Sequence, residues 1–318
     1  MAERIDTSAA AYTIDSGVTQ SMIGDFQQCR TACRNRLDGW ETPSSRRALD
    51  FGTMWHKADE LWRVECKSRS MRAEDAETWW ATFADTWMAE QVGLGKPPND
   101  VAEDIAMAGA LWPVYIAKWY AADTQRDWYE LEKVFDVPWR GYRLRGKRDA
   151  MFRLPHGKGW HYWLYETKTK GQIDEEDIKA TLMYDFQNLI YCLCARTEQG
   201  IILSGVLYNV IRRPGEKNTR GIADLTAKIR KKAEADPDYF FKRFEVTYPP
   251  EVIKDFEDNQ LKPRLDEFRA WLDGKMATVR NERACIGRFN CEFISACSAK
   301  SMAGYVRTRT LFSELLGD

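Results

Sequence analysis

Asp149, Glu166 and Lys168 are the residues whose types and spacing suit hydrolysis around a bound cation. Asp149 closes the segment Gly146-Lys147-Arg148-Asp149, and seventeen positions later Glu166-Thr167-Lys168 lies near the end of the next strand candidate. Strand side chains alternate, so Glu166 and Lys168 share a face and Thr167 points away. If the two strands are neighbours, Asp149 and Glu166 offer oxygen ligands to a hard divalent ion, Mg²⁺ or Mn²⁺, with Lys168 beside it. Phosphodiester cleavage needs such parts: carboxylates that place the ion, a water made more acidic by it, and a cation near the developing charge. A D…ExK pattern alone also occurs on solvated strand faces, so the neighbouring sequence has to carry weight.

Gln187 and Tyr191 stand four apart in DFQNLIYCL, which puts an amide and a hydroxyl on one helix face just after these strands. There they can touch substrate or orient the site. His56, in FGTMWHKADELW, has Gly52 one helical turn ahead of it, and its imidazole can be a further ligand to the same ion.

A sheet must hold these groups. YELEKVFDVPW, YRLRGKRDAMFRL and GWHYWLYETKT read as three strands, GIILSGVLYNVI as a buried strand and YFFKRFEVTY as another. IDEEDIKATLMYDFQNLIYCLCART reads as one long helix, IADLTAKIRKKAEAD as a charged helix, and EVIKDFEDNQLKPRLDEFRAWLDGKM as a helix bent near Pro263. Earlier, SMIGDFQQCRTACRNRL places Met22, Phe26 and Cys29 at helical spacing behind Ser21 as a cap. AETWWATFADTWMAE and EDIAMAGALWPVYIAKWYAAD, separated by GLGKPPND, continue a helical region whose Trp and Met stripes read as core packing. The order predicts an α/β fold, a mixed sheet flanked by helices with a helical N-terminal insertion. The expected divisions are a flexible tail over 1–17, the helical region over 18–126, the core over 127–248, and a C-terminal helix with a cysteine-bearing end over 249–318.

Cys285, Cys291 and Cys297 recur every six residues in ACIGRFNCEFISACS. Three soft ligands this close point to a metal, and a tetrahedral set asks for a fourth. Cys29 is the candidate, with Cys33 one helical turn on as its competitor, and Zn²⁺ suits four cysteines. Cys192 and Cys194, inside an apolar helix, read as core, as does Cys66.

GTMWH, RGKRDAMF, YETKTK and QNLIY together, in this order, resemble the RecB-type branch of the PD-(D/E)XK nucleases, especially phage and CRISPR-adaptation members that carry iron-sulfur clusters. The resemblance spans about residues 20 to 300 and implies a restriction-endonuclease-like core. It implies His56, Asp149, Glu166 and the Thr167 carbonyl as ion ligands, Lys168 as the catalytic lysine, and Gln187 and Tyr191 as motif-helix residues. It further implies a 4Fe-4S cluster on Cys29, Cys285, Cys291 and Cys297, although the cysteine spacing is wider than the family's short CxxC. Arg148 departs from the pattern, which has an apolar residue before the aspartate; the strand is expected to end early there or to turn that side chain out.

The chain has 318 residues, with 47 Lys and Arg against 48 Asp and Glu, so its net charge of -1 does not favour nucleic acid and any basic surface must be local. Arg212, Arg213, Lys217, Arg220, Lys228, Arg230, Lys231 and Lys232, against Glu216 and Asp224, form such a patch. It suits sequence-independent phosphate contacts or, equally, a solvated helix face. No stretch approaches the roughly 20 apolar residues of a membrane span, and the start lacks signal-peptide order, so a cytoplasmic protein is expected. The expected activity is metal-dependent cleavage of DNA, at ends or in single strands; the alternative is a silent DNA-binding or scaffold subunit. No GxxxxGK[ST] loop is present, so any unwinding belongs to a helicase partner, with a recombinase or integrase as other candidate partners.

Overall fold

The computed structural model describes residues 12–42, 47–286 and 291–307. Residues 1–11 of the expected tail lie outside that range. Over residues 12–17, Tyr12 donates to the Gly17 carbonyl at 3.0 Å, and Arg143 to that of Asp15 at 3.0 Å.

Thr19, rather than Ser21, caps α1 (Gln20–Gln28), accepting from Met22 N at 3.3 Å. The helix does not run through Cys29, whose extended backbone separates α1 from α2 (Arg30–Leu37). After the short strand β1 (Trp40–Glu41) come α3 (Arg47–Arg69), α4 (Ala76–Gly93) and α5 (Pro98–Asp123). A meander follows: β2 (Asp127–Trp139), β3 (Tyr142–His156) and β4 (Gly159–Lys170). The crossover α6 (Glu175–Leu182) and α7 (Phe186–Gln199) leads to β5 (Leu203–Arg212), then α8 (Ile222–Ala235), α9 (Pro237–Phe240) and β6 (Phe241–Val246). The C-terminal part is α10 (Pro250–Asp255), a π-helical stretch (Phe256–Leu261), α11 (Lys262–Leu272), α12 (Glu282–Cys285), α13 (Ile294–Ala299) and β7 (Val306–Arg307), which pairs with β1. The widened turn lies immediately before Pro263, whose ring excludes a regular i−4 bond.

The five-stranded sheet has the order β2-β3-β4-β5-β6 and is mixed, with β4 and β5 parallel and the other pairs antiparallel. Parallel neighbours require a crossover, and α6 and α7 supply it. These are two helices rather than the one expected. Asp185 restarts the helix by accepting from Asn188 N at 2.8 Å, which puts Gln187 in a first turn.

One core joins α1, α7 and α11 to the sheet through Phe26, Leu164, Leu193, Val206 and Phe268. The second packs α3, α4, α5 and α8 against Ile211 and Phe241, and contains Trp55, Trp79, Trp80, Trp87 and Trp112. The aromatic stripes are therefore core, each ring removing roughly 200 Å² from water.

Arg148 neither ends β3 nor turns outward. Its side chain is fully buried, 3.0 Å from both Glu130 on β2 and Glu198 on α7, with its guanidinium 5.2 Å over Phe135. A cation tolerated at this position thus fastens α7 to the meander.

Candidate metal centre

β3 and β4 pair from Ala150–Tyr165 outward to the hairpin, so Asp149 and Glu166 stand one residue past the last pair, where the strands part. Thr167 N, released from that ladder, donates to Asp149 Oδ2 at 2.7 Å. β4 stays paired with β5 as far as Lys170–Arg212, which keeps the Glu166-Thr167-Lys168 segment rigid.

His56 enters from α3, with Nδ1 3.3 Å from Asp149 Oδ2. Gly52, one turn earlier, allows the approach: a Cβ there would lie 3.0 Å from Thr169 Oγ1. From the α7 side, Gln187 Nε2 donates to Glu166 Oε1 at 2.9 Å and to Tyr191 Oη at 2.8 Å. Lys168 Nζ donates to Gln187 Oε1 at 2.8 Å and also to Glu166 Oε1. Gly146 leaves room beside Tyr191, since a Cβ would come within 2.7 Å of the Phe135 ring. Six of the expected residues, His56, Asp149, Glu166, Lys168, Gln187 and Tyr191, thus meet, together with the backbone of Thr167.

Glu132 is the carboxylate that the sequence reading missed. Its ligand atom and those of His56 and Asp149 all lie within 4.8 Å of one another. It falls between the pairs Leu131–Ala150 and Lys133–Arg148, opposite Asp149, with a positive φ of 46° and an ion pair to Lys147. Non-glycine residues are held in that region only where surrounding structure compels it. The available signal was the turn at Arg140–Gly141: seven residues back from Trp139 and seven on from Tyr142 lead to Glu132 and Asp149.

Each carboxylate of the group faces a cation, Glu132 with Lys147, Glu166 with Lys168 and Asp149 with His56, and their protonation is shifted accordingly. Burial, and then Asp149, push the Glu166 carboxyl up to about 8, and its Oε2 is buried with no hydrogen-bond partner among the described residues. Burial and Asp149 likewise raise Glu132 to about 7. Burial alone would lower the His56 imidazole, but the Asp149 carboxylate overrides it and brings it up to about 9. Asp149 is held below the usual carboxylate range: burial opposes this, and His56, Lys168 and the Thr167 N–H outweigh it. Lys168 is raised because Glu166 and Asp149 outweigh burial, so it is an ammonium and not a base. His56, Asp149 and Glu132 offer an imidazole and two carboxylates that fit a hard divalent ion; Glu166, with its orphaned Oε2, lies outside that 4.8 Å group and does not line the cavity. Because His56, Glu166 and Glu132 must shed protons to bind it, Mn²⁺ affinity is expected to rise about tenfold or more from pH 7 to pH 8. A spin-resonance titration yielding a pH-independent affinity would contradict this.

A cavity of about 990 Å³ opens over the centre, with Trp87 and Glu90 of α4 on one side and Gly171, Asp174 and Asp177 on another. Six carboxylates and four lysines line it.

The cysteines split into two groups. Cys29 packs with Phe293 and Cys291, and Cys291 N donates to the Cys285 carbonyl at 3.1 Å. Burial first, and then neighbouring cysteines, Cys29 among them, raise the Cys285 and Cys297 thiols. Among the described residues no three of these sulfurs lie within 4.8 Å of one another. Four sulfurs about 2.3 Å from one zinc would be about 3.8 Å apart, so a closed zinc site is not formed. Cys33 lies in the main core, 3.9 Å from the Met22 carbonyl, apart from this group; Cys192 and Cys194 are core as well.

The basic segment is only partly open. Arg213 pairs with Asp104, Arg230 with Glu77 and Lys232 with Glu216, whereas Arg212, Lys217 and Arg220 have no carboxylate partner among the described residues.

No protein-family model and no curated protein matches this sequence. Among solved structures, the chain is similar to the crystal structure of a "putative exonuclease" from Eubacterium rectale, with 12% identity and a TM-score of 0.49, over 93% of this chain and 98% of that one. The chemistry must be read from the residues. No helix among the described residues is long and apolar enough to cross a membrane.

Proposed function

We propose that this chain is a divalent-cation-dependent deoxyribonuclease of the PD-(D/E)XK type, cutting phosphodiester bonds at DNA ends or in single strands. The observation that carries this reading is the meeting of His56, Asp149, Glu166 and Lys168 where β3 and β4 separate. His56, Asp149, Glu166 and the Thr167 carbonyl would hold Mg²⁺ or Mn²⁺, with Glu132 as an added carboxylate. The bound ion would polarise the phosphate and acidify an attacking water. Lys168, kept protonated, offsets negative charge that builds on the phosphate oxygens. Gln187 fixes both Glu166 and Lys168, and Tyr191 in turn steadies Gln187.

Purified protein should cut end-labelled single- or double-stranded DNA with Mg²⁺ or Mn²⁺ and cease in EDTA. Intact DNA with folded, ion-loaded protein would favour a DNA-binding subunit that does not cut. A helicase, recombinase or integrase is a candidate partner in either case.

Cys29, Cys285, Cys291 and Cys297 would bind a 4Fe-4S cluster, joining the N-terminal helices to the C-terminal segment. A cubane carries its ligands on separate corners, so its sulfurs need not lie as close together as those around one zinc ion. Anaerobically purified protein is expected to contain iron that Cys29→Ala loses and Cys33→Ala keeps. Zinc without iron in the wild type would overturn the assignment.

A further inference from the structure

Lys170, two residues beyond Lys168 on β4, lines the cavity and pairs in register with Arg212 on β5. The strand rise puts Lys170 about 7 Å past Lys168, and Arg212 is one strand further. Arg213 N donates to the Lys170 carbonyl at 2.8 Å, so the two strand ends are fixed to each other. Neither Lys170 nor Arg212 has a carboxylate partner among the described residues, in contrast to Arg213, Arg230 and Lys232. The Arg212 guanidinium lies 3.9 Å from the centre of the Tyr239 ring, which is 46% exposed. Phe240, against whose ring Tyr239 packs edge-on at 4.9 Å, is buried and anchors it. Beyond this point Lys217 and Arg220 are exposed.

We propose that single-stranded DNA leaves the cleft over this ridge, with phosphates on Lys170 and Arg212 and a base stacked on Tyr239. Two half-buried cations without carboxylate partners among the described residues, spaced along a rigid edge, recognise a backbone without reading sequence. An exposed ring backed by a guanidinium supplies a stacking surface that accepts any base. A duplex keeps its bases stacked inside and cannot use Tyr239, so the ridge favours single strands. The inference rests on the DNA reading above and specifies the strand form it takes.

Fluorescence anisotropy with labelled oligo(dT) tests it, using Ca²⁺ as the ion and a gel to verify that the oligonucleotide stays intact. Arg212→Gln is expected to weaken binding about tenfold and to reduce the salt slope by about one. Tyr239→Leu should weaken it by about tenfold, and Tyr239→Phe should retain most affinity. Arg213→Gln, which loses a residue already paired with Asp104, should bind nearly as wild type does. Thermal melts identify any variant that is merely unfolded. Wild-type affinity in Arg212→Gln and Tyr239→Leu, an equal loss in Arg213→Gln, or no binding by the wild type would each overturn the ridge. Binding that follows these expectations in a protein that never cuts DNA would sink the nuclease reading and leave the ridge standing.

Discussion

Lys168→Ala should lower single-turnover DNA cleavage by about a thousandfold while leaving Mn²⁺ binding in place. The lysine is not a ligand. It is an ammonium bonded to Glu166 and Gln187, and its loss removes one preorganised positive charge from the reacting phosphate. Removing a single such donor typically costs two to three powers of ten in rate, about 3 to 4 kcal/mol. The fold should tolerate the change, since Lys168 is partly exposed and Gln187 still reaches both Glu166 and Tyr191. Activity within tenfold of wild type would mean that Lys168 serves the sheet and not the chemistry.

Arg148→Ala should have the largest effect on stability, a loss of about 3 to 5 kcal/mol in denaturant unfolding. Glu130 would lose its guanidinium and keep only Lys133 and Gln199, Glu198 would lose the same partner, and a cavity would open at a fully buried position between α7, β2 and β3. The combination Arg148→Met with Glu130→Gln should recover most of that loss, because it removes a carboxylate that has lost its guanidinium and refills the volume. If Arg148→Ala unfolds at the wild-type midpoint, the buried pair contributes nothing. The same variant should weaken catalysis indirectly, since α7 delivers Gln187 and Tyr191.

Much of the arrangement around Asp149 and Glu166 was legible because it is local. Alternation puts Glu166 and Lys168 together, and the i, i+4 spacing does the same for Gln187 and Tyr191. The mixed sheet flanked by helices could likewise be read from the order of elements. Glu132 was hidden because its position beside Asp149 depends on pairing register and on a positive φ, neither of which composition or periodicity reveals. The break before α7 escaped notice because an apolar pattern continues through Met183 and Tyr184, while Asp185 resets the helix by capping. Thr19 and Ser21 are equally good caps by type, and the chain's entry from the bridge at Val18 to Leu144 selects Thr19. The basic segment looked uniform because its partners Glu77 and Asp104 lie more than a hundred residues away in sequence. Arg148 seemed out of place for a similar reason: Glu198, one of its two partners, sits on another element fifty residues on.

The claim on which the rest depends is that His56, Asp149 and Glu166 form one ion centre. Anomalous scattering from Mn²⁺-soaked crystals tests it most directly. A single strong peak is expected within coordination distance of the His56 imidazole, both carboxylates and the Thr167 carbonyl, and it should disappear in Asp149→Asn. A peak elsewhere, or no peak at saturating Mn²⁺ in crystals that retain the fold, would contradict it.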